Sequence, residues 1–357
     1  MKIAVISPHE KLDAMASVII EGLNGHGAEI VASDRGNGIL DKWVRDDDAF
    51  VNFANQADFI FVLWGKGPDA KWNRGMNNKH PKYYLLDRIQ RYHQTVYIDG
   101  SEWTSTGHPE TYDGMRESEY AKNRLLPVQI IESKIDTSRC KGQPWINEEM
   151  RKKCAWYFKR ECYTEDLVEG ILPLNVGCHS RFVGDTKYWH ADKPIDIFCS
   201  FGQTYTGLRY EVEKVCRKIQ SEGEYNVKIL SGEKISHDEY LKTISQSKIS
   251  VSAWGAGNSC MRMWESMANG SCCFIQRPEI LFLNKPSDGF HCVEYSTPDE
   301  FERKIRKYLK NEPLCRIIGL QGQELTLDYH TGIARVQYIL DIIQDTNGWR
   351  SHIFNHG

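Results

Sequence analysis

An arginine and a glutamate three residues apart, Arg262 and Glu265, stand in the stretch Cys260-Met261-Arg262-Met263-Trp264-Glu265-Ser266-Met267-Ala268-Asn269-Gly270. A guanidinium fork suits phosphate oxygens, and a carboxylate one helical turn on can accept hydrogen bonds from the hydroxyls of a ribose. Ahead of the pair lies the flexible loop Gly255-Ala256-Gly257-Asn258-Ser259. A helix starting there turns unpaired N–H groups and its positive dipole end toward an anion, with backbone groups of Gly257 and Ser259 in reach. At helical spacing Arg262, Glu265, Ser266 and Asn269 share one face, expected to open toward the loop, while Met261, Trp264 and Ala268 face a sheet and Gly270 stops the helix. The competing reading is a solvated helix face with an i,i+3 ion pair, which needs no glycine-rich loop before it.

The elements that must hold this helix are legible on both sides. Residues 248–254 (KISVSAW) alternate and are β-branched, and residues 272–276 (CCFIQ) read as the next buried strand, so the whole is one β-loop-α-β unit. Upstream, a strand at 196–200, helix at 208–220, strand at 225–230 and helix at 238–245 repeat the alternation. The first half does the same: strands at 2–7, 29–33, 58–63 and 95–98, and helices at 12–23 and 81–92. Residues 103–144 form a long polar stretch, and a helix is expected at 147–158. Strand and helix in turn argue parallel sheets covered on both faces.

The run Arg-Met-Trp-Glu-Ser-Met-Ala-Asn-Gly at 262–270 resembles the nucleotide-sugar-binding helix of GT-B glycosyltransferases. The pattern it resembles is R-x-[FW]-E-x-[ML]-A-x-G, found in spore-maturation-type transferases of glycosyl transferase group 1 and, more distantly, in bacteriophage DNA β-glucosyltransferases. The resemblance implies an α/β GT-B fold, with two Rossmann-like domains facing a central cleft. It places the donor diphosphate at Arg262 and the donor ribose at Glu265. Many retaining members carry a second glutamate eight positions before the ribose-binding one, where this chain has Gly257.

The resemblance extends to other positions. A glycine-bearing loop, Phe201-Gly202-Gln203-Thr204-Tyr205-Thr206-Gly207-Leu208-Arg209, leads into a helix whose first turn holds Arg209. In similar transferases the corresponding loop and arginine face the leaving diphosphate, which implicates Gly202 and Arg209; on its own, a first-turn arginine is more often solvated. The turn around Lys234 and Ile235 falls where the family reads the base through backbone groups, with Ser236 as a helix cap. Asp99 ends a buried strand, at the edge where parallel sheets place ligands, and matches the strand-end aspartate of the inverting phage enzymes. It is the candidate general base, Glu102 is the reserve, and an Asx turn made by Asp99-Gly100 is the alternative. Tyr157-Phe158-Lys159-Arg160-Glu161 resembles a run near the domain junction of related transferases, with no chemistry assigned.

Three domains of chain follow: 1–170 for the acceptor, 171–335 for the nucleotide sugar, and 336–357 as a helix crossing back, with the connection at 170–177. The chain's 357 residues, 41% of them hydrophobic, suffice for two cores. A net charge of −3 gives no overall field for polyanions, but Lys71, Arg74 and Lys79 open a locally basic stretch with interleaved aromatics, which suits an acceptor carrying phosphates. The eleven cysteines cannot all pair, and their apolar settings suit a reducing cytoplasm. No apolar run approaches the roughly 20 residues that span a bilayer. Asp46-Asp47-Asp48 reads as a solvated helix start rather than a metal grip, and no Cys or His spacing suits zinc; Mg is compatible with a diphosphate but required by no motif.

The expected activity is transfer of a sugar from a nucleotide donor, a UDP-sugar, to a hydroxyl acceptor with inversion. The acceptor is a glycan, a small molecule, or DNA with a hydroxymethylated base. A sugar-nucleotide epimerase of the same fold and a non-catalytic nucleotide-sugar-binding protein are the rivals. The sequence says nothing of oligomeric state.

Overall fold

The computed structural model describes residues 1–7, 14–35, 40–65, 82–100, 148–162, 167, 170–185, 192–201, 207–254 and 258–344. The apolar runs of the first half become β1 (Lys2–Ile6), β2 (Glu29–Ala32), β3 (Phe59–Gly65), β4 (Thr95–Gly100), β5 (Trp156–Lys159) and β6 (Ile171–Pro173), all parallel, in the order β2-β1-β3-β4-β5-β6. Helices α1 (Ala14–Gly25), α2 (Asp47–Ala54) and α3 (Glu148–Lys153) connect them. Asp46 caps α2 by accepting from the Ala49 N–H at 2.8 Å, and Asp47 and Asp48 pair with Lys82 and Arg88, so the acidic triplet is a helix start as expected.

Three expectations need correction here. The helix expected at 81–92 is two short 3₁₀ turns, Tyr83–Arg88 and Tyr92–Gln94, because Lys82, Tyr84 and Arg88 are drawn onto the Asp47 and Asp48 carboxylates while Ile89 is extended. The helix expected at 147–158 stops at Lys153, and its aromatic end is β5: Tyr157 turns edge-on to Tyr97 at 4.8 Å on one face, and Phe158 enters the core on the other. Burial on both faces of the sheet has overridden the helical pattern. Residues 171–173, expected within the interdomain connection, are strand β6, so the first domain extends past the 170/171 boundary.

The second half contains β7 (Ile195–Phe201), β8 (Val227–Ser231), β9 (Ser247–Ser252), β10 (Cys272–Gln276) and β11 (Val293–Tyr295), parallel in the order β11-β10-β9-β7-β8. Between and after them run α4 (Gly207–Glu222), α5 (His237–Ser245), α6 (Met261–Ala268), α7 (Pro298–Leu309) and α8 (Glu312–Tyr329). The last described helix, α9 (Gly332–Gln344), returns to lie on α1. It starts four residues before the expected boundary at 336 and packs closely: a Cβ at Gly22 would sit 2.1 Å from the Gly332 carbonyl oxygen. One apolar core therefore joins Ile19 of α1, Phe158 of β5, Trp264 and Met267 of α6, and Ile339 of α9.

The turn between α8 and α9 braces α6 from behind. The His330 ring stacks on Trp264 at 3.8 Å, its Nδ1 accepts from Arg335 at 2.7 Å, and its Nε2 lies 3.1 Å from the Asn284 carbonyl. That pattern requires a neutral imidazole carrying its proton on Nε2. Burial, followed by the Arg335 charge, holds the His330 pKa well below its usual value. The unfolded chain then binds a proton that the folded one refuses, so stability is complete above about pH 6.5 and falls as pH drops below it, by up to about 1.4 kcal/mol per pH unit from this group. Urea unfolding between pH 7 and pH 5 should show this decline, and His330→Gln should flatten it. An unchanged slope in the variant would rule out His330 as its source.

Candidate functional site

Each sheet has one place where successive connections leave in opposite directions, between β1 and β3 in the first and between β7 and β9 in the second. Parallel sheets bind ligands at the carboxyl ends of the strands flanking such a point. In the second sheet those ends are Phe201 and Ser252-Ala253. The Arg209 guanidinium lies 5.4 Å from the Phe201 ring centroid, and the Arg262 guanidinium lies 5.6 Å from the same centroid. Arg209 is held by Nε and Nη2 donating to the Ala253 carbonyl at 3.3 and 3.2 Å. Arg262 is half-buried, and its Nε is buried with no hydrogen-bond partner. Two guanidiniums beside one aromatic ring, one with a donor unspent, are groups of the kind that could receive an anion.

Glu265 is buried one turn along α6, and its Oε2 accepts from the Tyr240 hydroxyl of α5 at 2.6 Å. Burial raises the carboxyl pKa, while Arg262, the Tyr240 hydrogen bond, Arg181 and His237 pull the other way. Tyr240, Arg181 and His237 were not singled out by the sequence. His237 Nε2 lies 2.6 Å from the Arg181 carbonyl, which ties α5 to the segment crossing between the sheets. The face expected to open toward the loop is largely covered instead: Ser266 and Asn269 are buried as well. The crossing segment covers Asn269, which donates to the Phe182 carbonyl at 2.8 Å and accepts from the Gly184 N–H at 2.7 Å. Gly270, with φ of 70°, ends the helix as expected.

The loop before α6 is fastened to the first domain by residues that follow β5. The Glu161 carboxylate, fully buried, accepts from the Asn258 N–H at 2.7 Å and the Ser259 N–H at 2.9 Å. Arg160 donates to the Ser259 carbonyl, and the Ser259 hydroxyl accepts from the Val176 N–H at 3.0 Å. Ser259, expected against the diphosphate, is thus committed to the domain seam: Glu161 supplies the negative charge that its N–H was expected to find in phosphate. The run Tyr157-Phe158-Lys159-Arg160-Glu161 is where the first sheet grips the loop that positions Arg262. Glu161→Ala should therefore cost about 3 kcal/mol in urea unfolding, since hydrogen bonds to a charged group contribute roughly 1.5–3 kcal/mol each and two buried amides lose their acceptor. Glu161→Gln should recover part of this; stability equal to the parent in both variants would remove the clamp.

Asp99 does lie at the carboxyl end of β4, beside Lys159 in the register of β5. It is fully buried, and its Oδ2 accepts from the Tyr157 hydroxyl at 2.7 Å. Lys234 is exposed, and Ile235 packs on the small cluster of Phe198, Leu230 and Ile244 after a turn at Gly232 with φ of 76°. Glu102, Gly202, Gly257, Lys71, Arg74 and Lys79 lie outside the described residues. Among the described residues no three His, Cys, Asp or Glu side chains gather to hold a metal ion, ten cysteines are free thiols, and no helix is long and apolar enough to cross a membrane.

This architecture, two parallel α/β sheets with a returning terminal helix, is the GT-B fold of glycosyltransferases. Residues 190–341 match the family described as glycosyl transferase-like. A sequence comparison with curated proteins finds no match. Among solved structures, the chain is similar to an alpha-glucosyltransferase in complex with UDP and a 13-mer DNA, with TM-score 0.58, 12% identity, and coverage of 96% of this chain and 99% of that one. It is also similar to Anabaena HepE in complex with UDP and glucose, at TM-score 0.54 and 10% identity over 96% of this chain and 99% of the other. A sucrose-phosphate synthase from Thermosynechococcus elongatus matches at TM-score 0.51 and 10% identity, over 96% and 98%. At these identities the likeness establishes the fold.

Proposed function

We propose that the protein is a glycosyltransferase that moves a sugar from a UDP-sugar to an acceptor hydroxyl with inversion. The observation that carries this reading is the pair of guanidiniums on Phe201 at the switch point of the second sheet. Arg209 and Arg262 would hold the diphosphate and stabilise the charge that grows on it as the glycosidic bond breaks. Glu265, exchanging the Tyr240 hydroxyl for ribose hydroxyls, would fix the nucleoside, and the Lys234-Ile235 turn would meet the base. The structural neighbours solved with UDP support this donor. Backbone groups of Gly202 and Gly257 would meet the diphosphate, and Glu102 stands in reserve to Asp99 as base.

Asp99 is the proposed general base. Because Asp99 is fully buried beside the Tyr157 hydroxyl, neighbouring groups must move aside before an acceptor hydroxyl can reach the carboxylate and lose its proton to it. A hydroxymethylated DNA base is the acceptor favoured by the neighbour solved with DNA and by the basic stretch holding Lys71, Arg74 and Lys79; a glycan or small-molecule acceptor would lack that need for cations. The free thiols fit work in a cytoplasm. The test is incubation with a panel of UDP-sugars and acceptors, hydroxymethylated DNA included, with products read by mass spectrometry. Product formed without acceptor would establish an epimerase instead, and donor binding with no product from any pair would establish a binding protein.

A further inference from the structure

A second set of cations lies at the carboxyl edge of the first sheet. Beyond β2 a cavity of about 230 Å³ is lined by Ser33, Asp34, Arg35, Trp43, Arg45 and Lys82. Three cationic side chains there face one lining carboxylate. Lys82 is engaged by Asp47 at 2.7 Å, and Asp34 accepts from the Arg35 N–H at 2.7 Å. Arg35 and Arg45 are exposed, and neither guanidinium has an ion-pair partner among the described residues. Trp43 shows 42% of its surface, although a large aromatic with a neighbouring core would ordinarily be drawn inward. Below it the Ser33 hydroxyl accepts from the Ser7 N–H at 3.2 Å, and the Ser7 hydroxyl donates to the Asp34 carbonyl at 3.2 Å, which links the end of β2 to the end of β1.

The place of this cavity in the sheet decides what it can hold. Register through β3 and β1 sets Asp34 level with Ile98, so the cavity lies at the same edge as Asp99. It is three strands away, about 14 Å at the roughly 4.8 Å spacing of neighbouring strands. That is too far for a group seated there to carry the reacting hydroxyl, yet within the span of an extended acceptor. Its volume is below the roughly 300–1,000 Å³ of pockets that take whole drug-sized ligands, and suits one ring with one anionic group.

We propose that this cavity is a nucleotide subsite for an extended single-stranded or locally unpaired nucleic-acid acceptor, with a base on the exposed Trp43 indole and its phosphodiester between Arg35 and Arg45. The assignment rests on the glycosyltransferase reading for its role as an acceptor subsite, while the binding itself does not. Guanidiniums with no ion-pair partner among the described residues supply the phosphate contacts, and an exposed indole supplies a stacking face indifferent to base identity.

The test uses the full chain and a fluorescein-labelled single-stranded oligonucleotide followed by anisotropy, beside UDP-sugar binding by calorimetry. Trp43→Ala is expected to weaken oligonucleotide binding about 5- to 150-fold, the effect of removing the stacking surface under one base. The double change Arg35→Ala with Arg45→Ala is expected to weaken it and to lower the slope of log affinity against log salt by about 0.7 for each phosphate of the single strand that the protein no longer neutralises. UDP-sugar affinity and the urea midpoint are expected to stay at parent values, since all three side chains are exposed. Parent-like oligonucleotide binding in both variants overturns the proposal. So does displacement of the oligonucleotide by an equal phosphate concentration of inorganic phosphate, which would make the cavity a simple anion site. A parent that binds the oligonucleotide through these residues but binds no UDP-sugar leaves the subsite assigned and overturns the glycosyltransferase reading alone.

Discussion

Asp99→Asn is expected to lower sugar transfer by roughly 10²–10⁴-fold while leaving UDP-sugar affinity near the parent value. The amide keeps the size of the carboxylate and can still accept from the Tyr157 hydroxyl, now 2.7 Å from Oδ2, so the fold should survive the change. What it loses is the capacity to take a proton. Two measurements bear on the result: transfer rate at saturating donor, and the anomeric configuration of the product by NMR. Transfer at the parent rate would make Asp99 a buried structural acid for Tyr157, and a product of retained configuration would remove the base mechanism whatever the rate. Tyr157→Phe separates the roles further. It deletes the phenol beside the carboxylate but keeps the base, so transfer should persist where Asp99→Asn lowers it steeply.

Arg262→Ala should reduce turnover by about 10²–10³-fold, the usual cost of removing one preorganised donor to charge that grows in the transition state. Glu265→Ala should act differently. The ribose contacts proposed for it would be made in ground and transition states alike, so the Michaelis constant for the donor should rise with a smaller change in turnover. The structure adds a reason to compare the two: removing Glu265 also frees the Tyr240 hydroxyl that it now holds at 2.6 Å, and Glu265→Gln retains an acceptor for that hydroxyl. Donor binding and turnover at parent levels in folded Arg262→Ala and Glu265→Ala proteins would move the donor site away from α6.

The β9-loop-α6-β10 unit was legible to within a residue or two, because β-branched alternation, a glycine-bearing loop and a stopping glycine are all local signals. The same local reading failed at residues 156–159. Aromatic residues tolerate either a helix or a strand, and only the facing Tyr97 on β4, far away in sequence, decides for a strand. The setting of Glu265 was hidden for a related reason. Tyr240 and His237 come from α5 and Arg181 from the crossing segment, and no spacing within a motif connects them. Ser259 shows the converse: its place in the loop before α6 could be read, but the carboxylate that claims its N–H comes from Glu161, about a hundred residues earlier, just after β5 of the other sheet.

The close approach of Gly22 to Gly332 bears on how the protein is made. Closing so long a segment costs little at equilibrium, because loop entropy grows only with the logarithm of length. On the ribosome, however, the apolar face of α1, with Val18 and Ile19, emerges about 310 residues before its partner in α9, or roughly 15–60 s earlier at 5–20 residues per second. Throughout that interval the first sheet has strands but lacks one of its covers, and the second sheet is completed while the first still waits. The nascent chain thus carries an uncovered apolar surface for most of its synthesis, the kind of surface on which chaperones act, and a chain cut short before residue 332 would never cover it.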